Sequence, residues 1–260
     1  MPSLSTNEDG DALDILYQDE HYVAIDKPPG LLVHRSPIDR HETRFALQLL
    51  RDQLGQYIYP IHRLDKPTSG VMLFALSSEA ASAMAAQIHT EAVQKTYWAV
   101  VRGYAPEQGS IDYSLSYQAD DYADKDRHSL PPAQEALTHF RRLAVAEIPV
   151  YVDRYPQTRY SLVELQPVTG RRHQLRRHMK HIGHPIIGDA RHGKGVHNRY
   201  FQSAYQAHRL MLMSRTLRWQ HPFTGASITC EARFDGAFTR VFEAFNWQAL
   251  LSRDNEIAIS

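Results

Sequence analysis

The stretch His62-Arg63-Leu64-Asp65-Lys66-Pro67-Thr68-Ser69-Gly70 sets one carboxylate among basic and hydroxyl side chains. It follows the strand-like Tyr59-Pro60-Ile61 and precedes the apolar run Val71-Met72-Leu73-Phe74-Ala75, so Asp65 falls where a sheet edge presents side chains to a cleft. An ionised carboxylate in such a place can attack an electrophilic carbon or stabilise positive charge developing on it. The same residues are also good turn chemistry. Asp tolerates a turn start, Pro67 fixes φ and Gly70 permits positive φ, and on spacing alone the turn comes first.

A second group lies in Gly170-Arg171-Arg172-His173-Gln174-Leu175-Arg176 and continues to Gly183. Residues 171–182 have helical length and Gly183 suits a C-terminal cap. Leu175, Met179 and Ile182 then share a packing face, while Arg172, Arg176 and Lys180 share a charged one, with Arg177 beside it. The formal net charge of the chain is zero, yet residues 171–184 carry five Lys or Arg and no acid, whereas every charged side chain from Glu8 to Glu20 is acidic. Phosphate binding depends on the local field, so a nucleic-acid ligand fits this chain.

The chain has fifteen histidines, among them His173, His178, His181 and His184. No HExxH frame or cysteine pair accompanies them, so no metal is expected, and these histidines read as surface groups near phosphates. Cys230 is the sole cysteine and reads as a small buried hydrophobe in Ala226-Ser227-Ile228-Thr229-Cys230.

The elements that must position these groups are legible in outline. Residues 13–26 alternate in two short runs about Asp19-Glu20-His21, which predicts a hairpin. Residues 45–51 and 77–88 read as helices, the second capped by Ser77, and residues 238–247 as a closing helix. Residues 95–101, 136–145 and 159–165 read as strands. Strands and helices mix without a βαβ period, which predicts an α+β fold on a largely antiparallel, mixed sheet flanked by helices. The polar stretch from Tyr117 to Gln134 reads as a surface loop.

At 260 residues, 43% hydrophobic and 22% charged, the composition is that of an ordinary soluble globular protein. The start of the chain shows neither a signal nor a transit pattern, and no stretch is apolar enough to span a membrane, so a cytoplasmic protein is expected. Residues 1–12 read as a disordered tail and 13–260 as one domain.

The HRLD-x-x-TSG pattern at 62–70 resembles that of the RluA-type pseudouridine synthases without a departure. The resemblance recurs in order through Asp26-Lys27-Pro28-Pro29-Gly30, Lys95-Thr96-Tyr97, the basic motif at 170–176, His184-Pro185-Ile186-Ile187-Gly188-Asp189 and His221-Pro222. It implies the pseudouridine synthase catalytic fold with a cleft across the sheet, a redox-neutral isomerisation of uridine in RNA, and no cofactor. It also implies catalytic roles for Asp65, for Tyr97 stacked on the uracil, and for Arg176 as the cation paired with Asp65. Arg63 would fill the space left by the extruded base, aided by the loop after Asp39. His62, Arg172, Arg177 and Lys180 fall to RNA contact or base flipping, and Thr68, Ser69 and Leu175 to support.

Residues 31–36, 51–56, 154–160 and 176–178 carry traits of a branch acting on tRNA, which implies a tRNA substrate, modification of its uridine 65, and a monomer. No room precedes Leu13 for a small S4-type RNA-binding domain. Three other readings remain: a synthase acting on ribosomal RNA, a non-catalytic RNA-binding protein with this fold, and a glycoside- or nucleoside-cleaving enzyme that pairs Asp65 with a second carboxylate.

Overall fold

A computed structural model describes residues 12–34, 42–88, 90–117 and 131–252. The tail expected over 1–12 lies outside them but for Ala12, as do Asp39, Arg40 and most of the 117–134 loop. The chain divides into two compact units. One draws on segments 1–96, 116–133 and 214–232, the other on 97–115, 134–213 and 233–260.

In the first unit, the alternating residues form the expected hairpin of β1 (Asp14–Gln18) and β2 (Tyr22–Lys27). Strand β2 pairs antiparallel with β4 (Ser69–Ala75), which also takes the two-residue β3 (Tyr59–Pro60). All seven residues of β4 are buried, which is why its sequence reads as an unbroken apolar run. Truncating Leu73 or Phe74 to alanine would remove about 2–5 kcal/mol. Gly70 is fixed by contact: its φ is 108°, and a Cβ there would lie 2.1 Å from the carbonyl oxygen of Ser214.

Helix α1 (Ala46–Leu54) ends at Gly55 in the left-handed conformation, and α2 (Ser78–Ala85) opens with the Ser77 hydroxyl accepting from the Ala80 amide. Strand β5 (Val93–Arg102) contributes its first four residues to this unit. Strand β9 (Leu212–Gln220), from Ser214 onward, pairs here with β10 (Ser227–Glu231). Cys230 is 4% exposed on β10, and burial pushes its thiol up to about 12, so it packs as the small hydrophobe expected.

In the second unit, the rest of β5 pairs antiparallel with β8 (Thr158–Pro167), β8 with β7 (Leu137–Ile148), and β7 with β6 (Gln108–Asp112). Helices α3 (Gln174–His181), α4 (Gly195–Tyr205), α5 (Gly236–Ala244) and α6 (Ala249–Ser252) complete it. Its core is aromatic. Tyr160 lies 4.9 Å from Phe201 and 5.5 Å from Phe245 between ring centroids, and Trp247 packs on Phe245 while donating from Nε1 to Val145 O. The fold is α+β and largely antiparallel, as the sequence predicts.

The basic helix departs from expectation in three respects. It begins at Gln174 rather than at residue 171, because His173 takes a left-handed conformation with φ 54°. Arg176 is 6% exposed, so the charged face is not a solvated stripe, and of its expected members Arg172 and Lys180 reach the surface. His178 is fully buried between Thr138 Oγ1 and Tyr113 O, which makes it a packed internal group and not a surface histidine.

Candidate active site

The Asp65 loop is held from both flanks. Beyond β3, Ile61 N donates to Leu73 O and Leu73 N donates to His62 Nε2, extending the alignment along β4 up to the loop. Burial, with the Lys95 ammonium adding to it, pushes the His62 imidazole down to about 3. It is therefore neutral at neutral pH and can accept that bond. Leu64 is 6% exposed and anchors the loop in the core, leaving Arg63 exposed and Asp65 half-buried on either side of it.

Asp65 O accepts from Thr68 N at 2.9 Å, closing a turn over Lys66 and Pro67, and the buried Thr68 and Ser69 lead into β4. The turn reading of this sequence and the reactive reading are thus compatible: the turn fixes the carboxylate's position.

From the other flank comes Lys27, a lysine with no exposed surface. Its Nζ donates to Pro28 O at 2.8 Å, Leu31 O at 2.9 Å and Lys66 O at 3.2 Å, and Gly30 N also donates to Lys66 O. The ammonium's hydrogen bonds thereby tie the 27–31 turn to the residue after Asp65. Lys66 itself reaches out to Glu42 at 2.8 Å. Arg63 Nη1 lies 3.5 Å from His34 Nε2, and burial together with Arg63 lowers the pKa of His34.

In the second unit, Tyr97 on β5 is 8% exposed and stands opposite Leu165 of β8. Arg176 meets Asp189 in a bidentate pair, Nε to Oδ2 at 2.7 Å and Nη2 to Oδ1 at 2.8 Å. Asp189 Oδ1 also accepts from Arg191 N and His192 N, each at 2.9 Å. Burial alone would raise this carboxyl, but the bonds from Arg176, His192 and Arg191 outweigh it and hold the pKa below the ordinary value. The planar fork of Arg176 is thereby fixed in direction. Gly188 makes the turn possible, since a Cβ on it would lie 1.9 Å from Arg209 O.

The start of α3 is organised by one amide. Gln174 Oε1 accepts from Arg171 N and Thr169 Oγ1, while Nε2 donates to Leu137 O and Thr138 Oγ1. Leu175 packs beside Arg176 at 7% exposure, Arg172 and Lys180 are exposed, and Arg177 is half-buried. His181 is exposed and stacks on Tyr113 at 3.7 Å between ring centroids. Among the described residues, no three His, Cys, Asp or Glu side chains are grouped so as to hold a metal ion, and no helix is long and apolar enough to cross a membrane.

The first unit thus gathers His62, Arg63, Asp65, Thr68 and Ser69 on one loop, and the second carries Tyr97, Arg172, Leu175, Arg176, Arg177 and Lys180. Sequence reasoning gave no role to Lys27, Lys95, Gln174 or Asp189, although all four stand in the motifs at 26–30, 95–97, 170–176 and 184–189. One signal pointed to Asp189: it is the first acid after the basic run of 171–184.

Residues 21–181 match the family described as RNA pseudouridylate synthase. The chain is 49% identical over 235 residues to the tRNA pseudouridine synthase C of Vibrio parahaemolyticus, covering 90% of this chain and 96% of the relative. It is 52% identical over 235 residues to that of Pasteurella multocida, covering 90% and 97%. Among solved structures, human RNA pseudouridylate synthase domain containing 4 superposes with a TM-score of 0.64 at 27% identity, covering 90% of this chain and 93% of the other. Human RNA pseudouridylate synthase domain containing 1 shares the fold with a TM-score of 0.64 at 22% identity, over 88% and 86%.

Proposed function

The chain belongs to the RNA pseudouridylate synthase family, and we propose that it isomerises a uridine of tRNA, namely uridine 65 in the T stem, to pseudouridine. The base is cut from C1′ at N1, turned, and rejoined to C1′ through C5. Cleavage of N1–C1′ leaves positive charge at C1′, and the Asp65 carboxylate meets that charge. Tyr97 stacks on the detached uracil and serves the late loss of the C5 proton.

A carboxylate covered by a bound base drifts toward its neutral form unless a cation opposes it. Arg176 supplies that cation, and Asp189 keeps its guanidinium plane set for the purpose. Arg63 enters the stem and fills the place of the extruded uridine. Arg172, Arg177 and Lys180 hold phosphates, and the protein works as a monomer.

The observation that carries this reading is the Asp65 loop: a half-buried carboxylate between an exposed arginine and two buried hydroxyls, clamped through Lys66 by a buried ammonium. About half-identity to the tRNA pseudouridine synthase C proteins over nine-tenths of the chain supports tRNA as the substrate. The test treats tRNA and ribosomal RNA transcripts with the protein and maps pseudouridine by carbodiimide-dependent reverse-transcription stops. A new stop reporting position 65 of tRNA is expected; stops confined to ribosomal RNA, or none, overturn the proposal.

A further inference from the structure

A cavity of about 230 Å³ opens in the first unit against helix α1 and the approach to β3. Phe45 and Ile58, 4% and 2% exposed, form its apolar floor, and Tyr57, 66% exposed, forms a wall. Gln48 and Arg51 line it from one face of α1, Phe45 from the extended residue that precedes the helix, and His34 completes the rim. Tyr57 packs edge-on against Tyr59 at 5.0 Å between ring centroids, which sets its ring direction while leaving a face open. An aromatic side chain this exposed gains little for the fold by its position.

Sites for drug-sized ligands measure about 300–1,000 Å³, so this one suits a single flat heterocycle. Its chemistry is an aromatic wall, an amide able to donate and accept, and a guanidinium at the rim beside Asp52. That set matches an unstacked nucleobase with its phosphate: bases out of the helix are bound by stacking on aromatic rings and by hydrogen bonds to their edges.

The place of the cavity is as telling as its lining. Tyr57 and Ile58 lead directly into β3 and the Asp65 loop, and the His34 of its rim is the histidine beside Arg63 Nη1. When Arg63 enters the stem, the nucleotide next to the target loses a stacking neighbour. We propose that the cavity receives that flanking nucleobase, stacked on Tyr57 and read at its edge by Gln48, with Arg51 toward its phosphate. This rests on the tRNA pseudouridine synthase reading and adds a second nucleotide to what the protein recognises.

The test uses the full chain and a synthetic hairpin of the tRNA acceptor and T stems, with binding read by fluorescence anisotropy and conversion by single-turnover rates. Tyr57→Ala is expected to raise Kd by roughly 5- to 150-fold, the range of one base–aromatic stack, while Tyr57→Phe keeps wild-type affinity. The rate at saturating RNA should stay within about twofold, as when binding shared by ground and transition states is removed. An abasic nucleotide at one position flanking the target should reproduce the loss and leave nothing further for Tyr57→Ala to remove.

Wild-type affinity in Tyr57→Ala, or losses that add at every abasic position, overturns the proposal and leaves the reaction standing. Binding that follows the expected pattern without any pseudouridine formed supports the pocket and overturns the proposed reaction instead.

Discussion

Two aspartates of this chain sit in opposite circumstances. Asp189 is 2% exposed, and its carboxylate takes two guanidinium and two backbone N–H bonds, so its lone pairs are committed to holding Arg176 and a turn. Asp65 is half-buried on a loop held by the bond from Thr68 N to its own carbonyl and by the Lys27 ammonium at the carbonyl of Lys66, with the exposed Arg63 two residues before it. Residue type alone does not separate them. What separates them is place: one carboxylate is sealed in a turn against a bidentate arginine, the other stands half-buried on a loop beside an exposed arginine.

The largest expected effect breaks the contrast at its reactive end. Asp65→Asn should lower the single-turnover rate by at least about 10⁴-fold, on the scale seen when a catalytic nucleophile is removed. Hairpin affinity should be retained, and a variant that still converts tRNA at an appreciable rate would contradict the role given to Asp65.

Asp189→Ala tests the structural end. It takes the bidentate Asp189 carboxylate away from the buried Arg176 and should cost about 3–5 kcal/mol in denaturant unfolding. An unchanged unfolding midpoint would mean that the two aspartates are not the contrast described here.

Next in size is a pH effect at His62. Its folded pKa of about 3 lies below that of an unfolded histidine, so the unfolded chain binds the extra proton between the two values. Its contribution is complete above about pH 6.5 and is lost as pH falls toward 3, with a slope of at most about 1.4 kcal/mol per pH unit. His62→Gln should flatten the wild-type stability curve in that window; an identical curve for both proteins would show that the imidazole is not the group titrating.

The smallest effect separates positioning charge from phosphate-binding charge. Removing Lys180 or Arg172 should reduce the slope of log Kd against log salt by about 1 each. Binding that is already insensitive to salt would remove α3 from the RNA-contacting surface.

How much of this was legible depended on how local the determinant was. The hairpin at 14–27, the cap at Ser77 and the turn at 65–68 follow from period-two alternation and turn residues within a few positions, and all three are present. Helix α4 was not read. Its Gly195, His197, Asn198 and Ser203 are weak helix formers, and it is held by burying Phe201 and His197 in the aromatic core, which no local window reveals.

Lys27 reads as an ordinary turn lysine, because the carbonyls that receive it come from residue 66 as well as its own turn. The early end of the basic helix was missed for a similar reason: the left-handed His173 depends on contacts of Gln174 with residues 137 and 138. The role proposed for Asp65 comes from the long HRLD-x-x-TSG pattern, since the turn chemistry by itself explains the same residues.

Gln174 carries one more consequence, and it concerns time. Its oxygen faces two donors and its nitrogen faces two acceptors, so every polar atom of the amide has an assigned direction. Hydrolysis of that amide to a carboxylate would change one atom and almost no volume, yet it would set a new oxygen against the Leu137 carbonyl, which can only accept, in a buried site. Ageing chemistry at a single side chain would thus weaken the start of the helix that carries Arg176, and a glutamate at the same place would meet the same penalty.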